Sequence, residues 1–189
     1  TLSLITQIDR IGPEQYIIDA KALHLAEDGT IFCANNSSGL LAFTYEDSSF
    51  VLKAKKNSPY LSWTEMEIFI DVEQKDNIIY IAGASGGVYA YEYTGSSFLL
   101  LDNRDEVYYG CVDVEVVGHT VFVANGSSSL WVYNFNGSTF SVLDRISPNG
   151  SSARLAYDEN GTIFSANGTD GLRVYQIIDD EFVGIAHLR

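Results

Sequence analysis

Basic residues are scarce in this chain. Lys and Arg number 11 against 25 Asp and Glu, so the 189 residues carry a formal charge of −14 at pH 7. Such a surface repels phosphate backbones, and nucleic acid is not an expected partner. Charge of either sign is thin, at 19% of residues against 46% hydrophobic, which argues for a folded rather than a disordered chain. No apolar run approaches the roughly 18 residues of a bilayer helix, so membrane insertion is not expected, and no signal peptide is visible. The chain opens on Thr1 and reads as a processed form or an excerpt of something longer. A helical period is missing throughout. Also missing are His/Cys ligand spacing, a nucleophile elbow and a phosphate-cradling glycine loop. The sequence therefore predicts a non-enzymatic protein with no cofactor and no metal.

What the chain does have is a repeat. Ile31-Phe32-Cys33-Ala34-Asn35, Ile79-Tyr80-Ile81-Ala82-Gly83, Val121-Phe122-Val123-Ala124-Asn125 and Ile163-Phe164-Ser165-Ala166-Asn167 align without gaps. Five residues after each comes Leu40, Val88, Leu130 or Leu172, and fifteen after comes Phe50, Phe98, Phe140 or Phe182. Leu2 falls at the same phase as these Phe residues. The units run at about 2–49, 50–97, 98–139 and 140–181, with a final outer strand at 182–189.

Each unit reads as four short strands separated by turns. The first holds Leu23/Leu25, Ile70/Val72, Val114/Val116 or Leu155/Tyr157, and the Ile-Phe-x-Ala-Asn strand is second. Gly and Asn in the turns tolerate positive φ. The third strand carries small or aliphatic residues on one face (Leu40/Ala42, Val88/Ala90, Leu130/Val132, Leu172/Val174). Its other face is largely aromatic (Phe43/Tyr45, Tyr89/Tyr91/Tyr93, Trp131/Tyr133/Phe135, Tyr175/Ile177). A sheet wetted on one side would alternate with polar residues. One apolar on both sides, small opposite large, suits radial stacking, and the expected fold is an all-β propeller of four-stranded antiparallel blades.

The run Val121-Phe122-Val123-Ala124-Asn125-Gly126 followed by Leu130-Trp131-Val132-Tyr133, with Gly171-Leu172-Arg173-Val174-Tyr175 in the next unit, resembles the LVIVD-repeat propellers. That resemblance spans nearly the whole chain and implies a surface-associated β-propeller without an assigned activity. The second unit departs from it at Gly83, where the others have Asn. The chain also starts and ends in a fourth-strand phase, so one outer strand is surplus. It implies part of a larger propeller, or an edge that pairs with a neighbouring molecule and builds a filament.

Binding is expected where loops vary on a rigid scaffold. The loops between units share a face with the Asn35, Asn125 and Asn167 turns and hold Tyr16, Tyr60, Trp63, Tyr108 and Tyr109. Tyr and Trp offer large, rigid contact areas. Either this face grips a glycan, a peptide or a partner protein (other copies of the chain included), or the aromatics pack loops onto the blade tops. The repeated Asn residues are expected to hold their hairpins. Seven Asn-x-Ser/Thr triplets stand at Asn35, Asn36, Asn125, Asn136, Asn149, Asn160 and Asn167. They read equally as glycan acceptors of an extracellular or cell-surface protein, with Asn125, Asn136, Asn149 and Asn160 as candidates, or as good turn chemistry. Cys33 and Cys111 are expected as buried free thiols. The paired acids Glu65/Glu67 and Asp113/Glu115 sit near the centre and are general acid–base candidates only if other blades converge on them, which the pattern does not suggest. A propeller-type hydrolase or lactonase is the weakest reading.

Overall fold

The computed structural model describes residues 7–8, 10–12, 16–60, 66–105, 110–126, 129–147, 150, 152–158, 160–178 and 181–189. A two-stranded ribbon, β1 (Arg10–Ile11) and β2 (Tyr16–Ile17), precedes four antiparallel sheets of four strands each. Blade 1 comprises β3 (Ala22–Leu25), β4 (Ile31–Ala34), β5 (Leu40–Glu46) and β6 (Ser49–Lys56). Blade 2 comprises β7 (Phe69–Lys75), β8 (Ile78–Gly83), β9 (Gly87–Tyr93) and β10 (Phe98–Arg104). Blade 3 comprises β11 (Cys111–Val117), β12 (Thr120–Asn125), β13 (Ser129–Phe135) and β14 (Phe140–Ile146). Blade 4 comprises β15 (Arg154–Tyr157), β16 (Ile163–Ala166), β17 (Leu172–Ile178) and β18 (Glu181–Leu188). The fold is the expected all-β array of propeller blades. Each Phe-opened strand completes the sheet of the three strands before it, so blades and sequence units are out of step by one strand.

Strand chemistry repeats from blade to blade. The last strand pair of every blade shifts register once, beside Ala42, Ala90, Val132 or Val174, and such bulges sharpen the right-handed twist. In blades 1, 2 and 4 the glycine leading into the third strand (Gly39, Gly87, Gly171) is crowded by the end of the fourth. A Cβ on Gly87 would lie 1.8 Å from the Arg104 carbonyl oxygen, and the backbone there has φ +85°. Only glycine fits such a position.

Stacking uses the two faces as their composition demands. The small face of blade 1 (Phe32, Ala34, Leu40, Ala42) packs onto Val72, Ile79, Ile81, Tyr89 and Tyr91 of blade 2. Tyr80, Ala82, Val88 and Ala90 pack likewise onto Val114, Val121, Val123 and Tyr133 of blade 3. Phe122, Ala124, Leu130 and Val132 pack onto Leu155, Ile163 and Tyr175 of blade 4. Burying such side chains contributes about 1.5–3 kcal/mol each and is the main source of cohesion between blades. Among the described residues no hydrophobic cluster joins blade 4 to blade 1, so the four sheets form an open set. The aromatic face of blade 1 (Cys33, Leu41, Phe43) is covered instead by Ile8 and Ile18 of the preceding segment. Most of the surplus outer strand at the start of the chain lies outside the described residues.

Candidate functional site

The loop end of the blades is built by the turns between second and third strands. Asn35 is fully buried; its Oδ1 accepts the Asp19 N–H at 2.6 Å and its Nδ2 donates to the Ile17 carbonyl at 2.9 Å. It therefore ties its turn to the segment that enters the blade. Asn167 is also fully buried and works locally: Nδ2 donates to the Ser165 carbonyl at 2.9 Å and Oδ1 accepts from Ser165 Oγ at 3.2 Å. Asn125 is 3% exposed beside Gly126, whose N–H donates to the Gly110 carbonyl at 3.0 Å. All three amides lie beneath the surface, so they shape the loop face rather than meet a ligand on it.

Gly83 lacks that side chain, and Glu67 supplies its replacement. Glu67 is fully buried, and its Oε1 accepts the N–H groups of Ile68 (2.8 Å) and Ser85 (2.9 Å). Its Oε2 accepts the Gly86 N–H and the Tyr89 hydroxyl, the latter at 3.0 Å. A Cβ on Gly83 would come within 2.8 Å of the Glu67 carboxyl carbon, so glycine and glutamate are a matched pair. Glu67 is therefore not a central acid–base group, as its pairing with Glu65 suggested, but a turn-holding carboxylate whose oxygens are occupied by four donors. Glu65 lies outside the described residues.

On this end Tyr60 is 71% exposed, and its neighbour Pro59 lines an open cleft of about 580 Å³ with Lys55, Lys56, Asn57, Tyr91 and Leu100. The Lys56 ammonium lies 6.0 Å from the centre of the Tyr91 ring. Tyr16 pairs with Ile11 through the backbone. Trp63, Tyr108 and Tyr109 lie outside the described residues, as does Asn149. Among the glycan-acceptor candidates, Asn136 and Asn160 are exposed, whereas the buried Asn125 has no room for a sugar in the folded chain. Both cysteines are free and buried, and burial pushes the Cys33 thiol up to about 12.

A second concentration of polar chemistry lies along the innermost strands, and it overturns the expectation that other blades do not converge on Asp113 and Glu115. Asp71 and Glu73 of blade 2 stand at the same phase one unit earlier, and all four carboxyls face one another across the seam. Asp71 Oδ2 accepts the Val114 N–H at 3.0 Å, and Asp113 Oδ2 accepts the Leu155 N–H. Each Asp thus crosses to the backbone of the next blade. His24 Nδ1 lies 2.9 Å from Glu73 Oε2, bringing blade 1 into the cluster. Burial, then the Asp71 charge, raises Asp113 to about 7. Burial, then Glu73 and the two Asp charges, raises Glu115 to about 8. His24, Glu73 and Tyr157 line a cleft of about 670 Å³ at the opposite end from Tyr60. Among the described residues no group of three or more His, Cys, Asp or Glu is placed to hold a metal ion. The carboxyls meet backbone N–H groups, His24, one another and, at Asp113 Oδ1, the Arg154 guanidinium 3.7 Å away, an arrangement that ties neighbouring blades.

No family model matches the chain, and no curated protein matches it. Its fold does have solved counterparts. The computationally designed Ika8 protein superposes with a TM-score of 0.64 at 12% identity, over 88% of this chain and 48% of that one. The computationally designed Ika4 protein gives 0.65 at 12% identity, over 93% of this chain and 99% of that one. The chain thus spans about half the length of Ika8. At this identity the likeness concerns the fold alone.

Proposed function

We propose that this chain is a non-enzymatic binding module of β-propeller type that takes a glycan, a peptide or a partner protein on its loop end, outside the cell or at its surface. The observation that carries the reading is Tyr60, a large aromatic ring 71% exposed on an end whose turns are otherwise locked by Asn35, Glu67 and Asn167. A rigid aromatic beside a cleft with two lysines loses little entropy when it meets a ligand. The exposed Asn136 and Asn160 triplets and the likeness of the repeat to LVIVD-repeat propellers support the surface setting.

Glycan and peptide microarrays test it, with Tyr60→Ala and Trp63→Ala alongside the natural chain. The expected result is a defined set of bound probes whose signal falls at least tenfold in both variants, with circular dichroism unchanged. Undiminished binding by both variants moves the site off the loop end, and a natural chain that binds no probe defeats the reading.

A further inference from the structure

Every small face that meets a following blade is buried, and the fourth is not. Phe32, Tyr80 and Phe122 are at most 3% exposed, and Ala34, Ala82, Ala124, Leu40, Val88 and Leu130 are fully buried. At the same positions of blade 4, Ala166 is exposed, Leu172 is 38% exposed and Leu188 beside it is 69% exposed, while Phe164 and Val174 are half-buried. The aromatic face shows the matching deficit at the other end of the set. Val72, Val114 and Leu155 are each at most 8% exposed, but their counterpart Leu23 is 60% exposed and Leu25 beyond it 68%. The segment bearing Ile8 and Ile18 covers that blade 1 face from its second strand outward, over Cys33, Leu41 and Phe43, and leaves the axial strip of the first strand exposed.

We infer that the small face of blade 4 is an interface for the axial strip of blade 1 in a second copy of this chain. The occupant follows from continuity: the same face meets a first strand of the same kind (Val72, Val114, Leu155) three times within the chain, and blade 4 keeps its small face open while blade 1 keeps that first strand open. Contact of this type is heterologous. Two copies arranged head to tail use both halves at once. The coupling is face to face and needs no strand addition. It is independent of the loop-end reading, because Tyr60 takes no part in it.

Light scattering on the purified chain, with Leu172→Lys and Leu23→Lys, tests the inference. Both side chains are exposed, so the substitutions leave each fold intact, as circular dichroism will confirm. The natural chain is expected at twice the chain mass or more between 10 and 100 µM (about the range in which such contacts populate). Each variant alone is expected to dissociate at least tenfold more readily. An equimolar mixture of the two is expected to regain dimers, because one copy keeps its blade 4 face and the other its blade 1 strip. A monomeric natural chain overturns the inference. So does Leu23→Lys remaining fully assembled, which points to blade 4 against blade 4. Assembly unchanged in both variants also overturns it, and points to outer-strand addition.

Discussion

Replacing Glu67 by Ala removes the acceptors of four hydrogen bonds in a fully buried turn. A net contribution of about 1.5–3 kcal/mol is typical for a bond to a charged group, and a buried donor left without a partner costs about 1–3 kcal/mol. Part of the loss is recovered as water enters the loop end, and the removed carboxylate no longer has to be desolvated. The expected destabilisation is about 4 kcal/mol, or a fall in Tm of about 10 °C for a chain of this size. Gly83→Asn alone is expected to destabilise as well, since its Cβ meets the Glu67 carboxyl carbon at 2.8 Å and the Tyr89 ring at 2.9 Å. Combined, the two changes restore the Asn of the other units to a turn from which the carboxylate has gone. The double variant should therefore be more stable than Glu67→Ala alone by about 1–2 kcal/mol, a strong departure from additivity. Urea titration of all four proteins measures the cycle. A loss below about 1 kcal/mol for Glu67→Ala, or simple additivity in the double variant, would refute the claim that glutamate stands in for asparagine here.

Asp113 and Glu115 are raised above their unfolded values, so the native state holds more protons than the unfolded one between about pH 4 and 8. Stability should fall as pH rises through that window, by about 2 kcal/mol after discounting for solvent contact, and Glu115→Gln should flatten the slope in thermal melts from pH 5 to 8. Asp170 acts in the opposite sense: its hydrogen bond from Arg173 at 2.6 Å holds it below the usual carboxylate range, so its stabilisation is present above the unfolded value and lost in stronger acid. Together these give a stability maximum near pH 4. Gly87→Ala should cost at least about 3 kcal/mol by urea titration, since both the left-handed backbone and the Arg104 carbonyl oppose it. Cys33 and Cys111 should resist alkylation in the native chain and react fully in denaturant, and rapid native labelling would contradict their burial.

The architecture was legible because its signals are local and recur. Ile-Phe-x-Ala-Asn fixes the second strand, and the small and aromatic faces of the third strand announce a sheet packed on both sides. The openness of the set was legible too, as a surplus fourth strand. What escaped the sequence are links between residues far apart in the chain. Nothing in the turn around Asn35 reveals that its amide reaches back to Ile17 and Asp19. Gly83 advertised an exception, but its compensation comes from Glu67, sixteen residues earlier and outside the turn pattern. The convergence of acids did leave a trace: Asp71 and Glu73 recur as Asp113 and Glu115 at the spacing of one unit. Reading the acids by phase, as the apolar residues were read, would have found them.

The three seams do not share the same fastening near the axis. Between blades 2 and 3 and between blades 3 and 4 a carboxylate grips main-chain N–H of the next sheet. Ala22 occupies the corresponding position in blade 1, and there the axial tie is the imidazole of His24 on Glu73. Main-chain anchors move only with their strand, whereas two side chains separate by turning about single bonds. The main-chain fastening of the first seam lies at its loop end instead, where the Phe69 N–H donates to the Asn36 carbonyl at 3.2 Å, so this seam is compliant only at the end held by His24, and a pull would open it there while the loop end acted as the hinge.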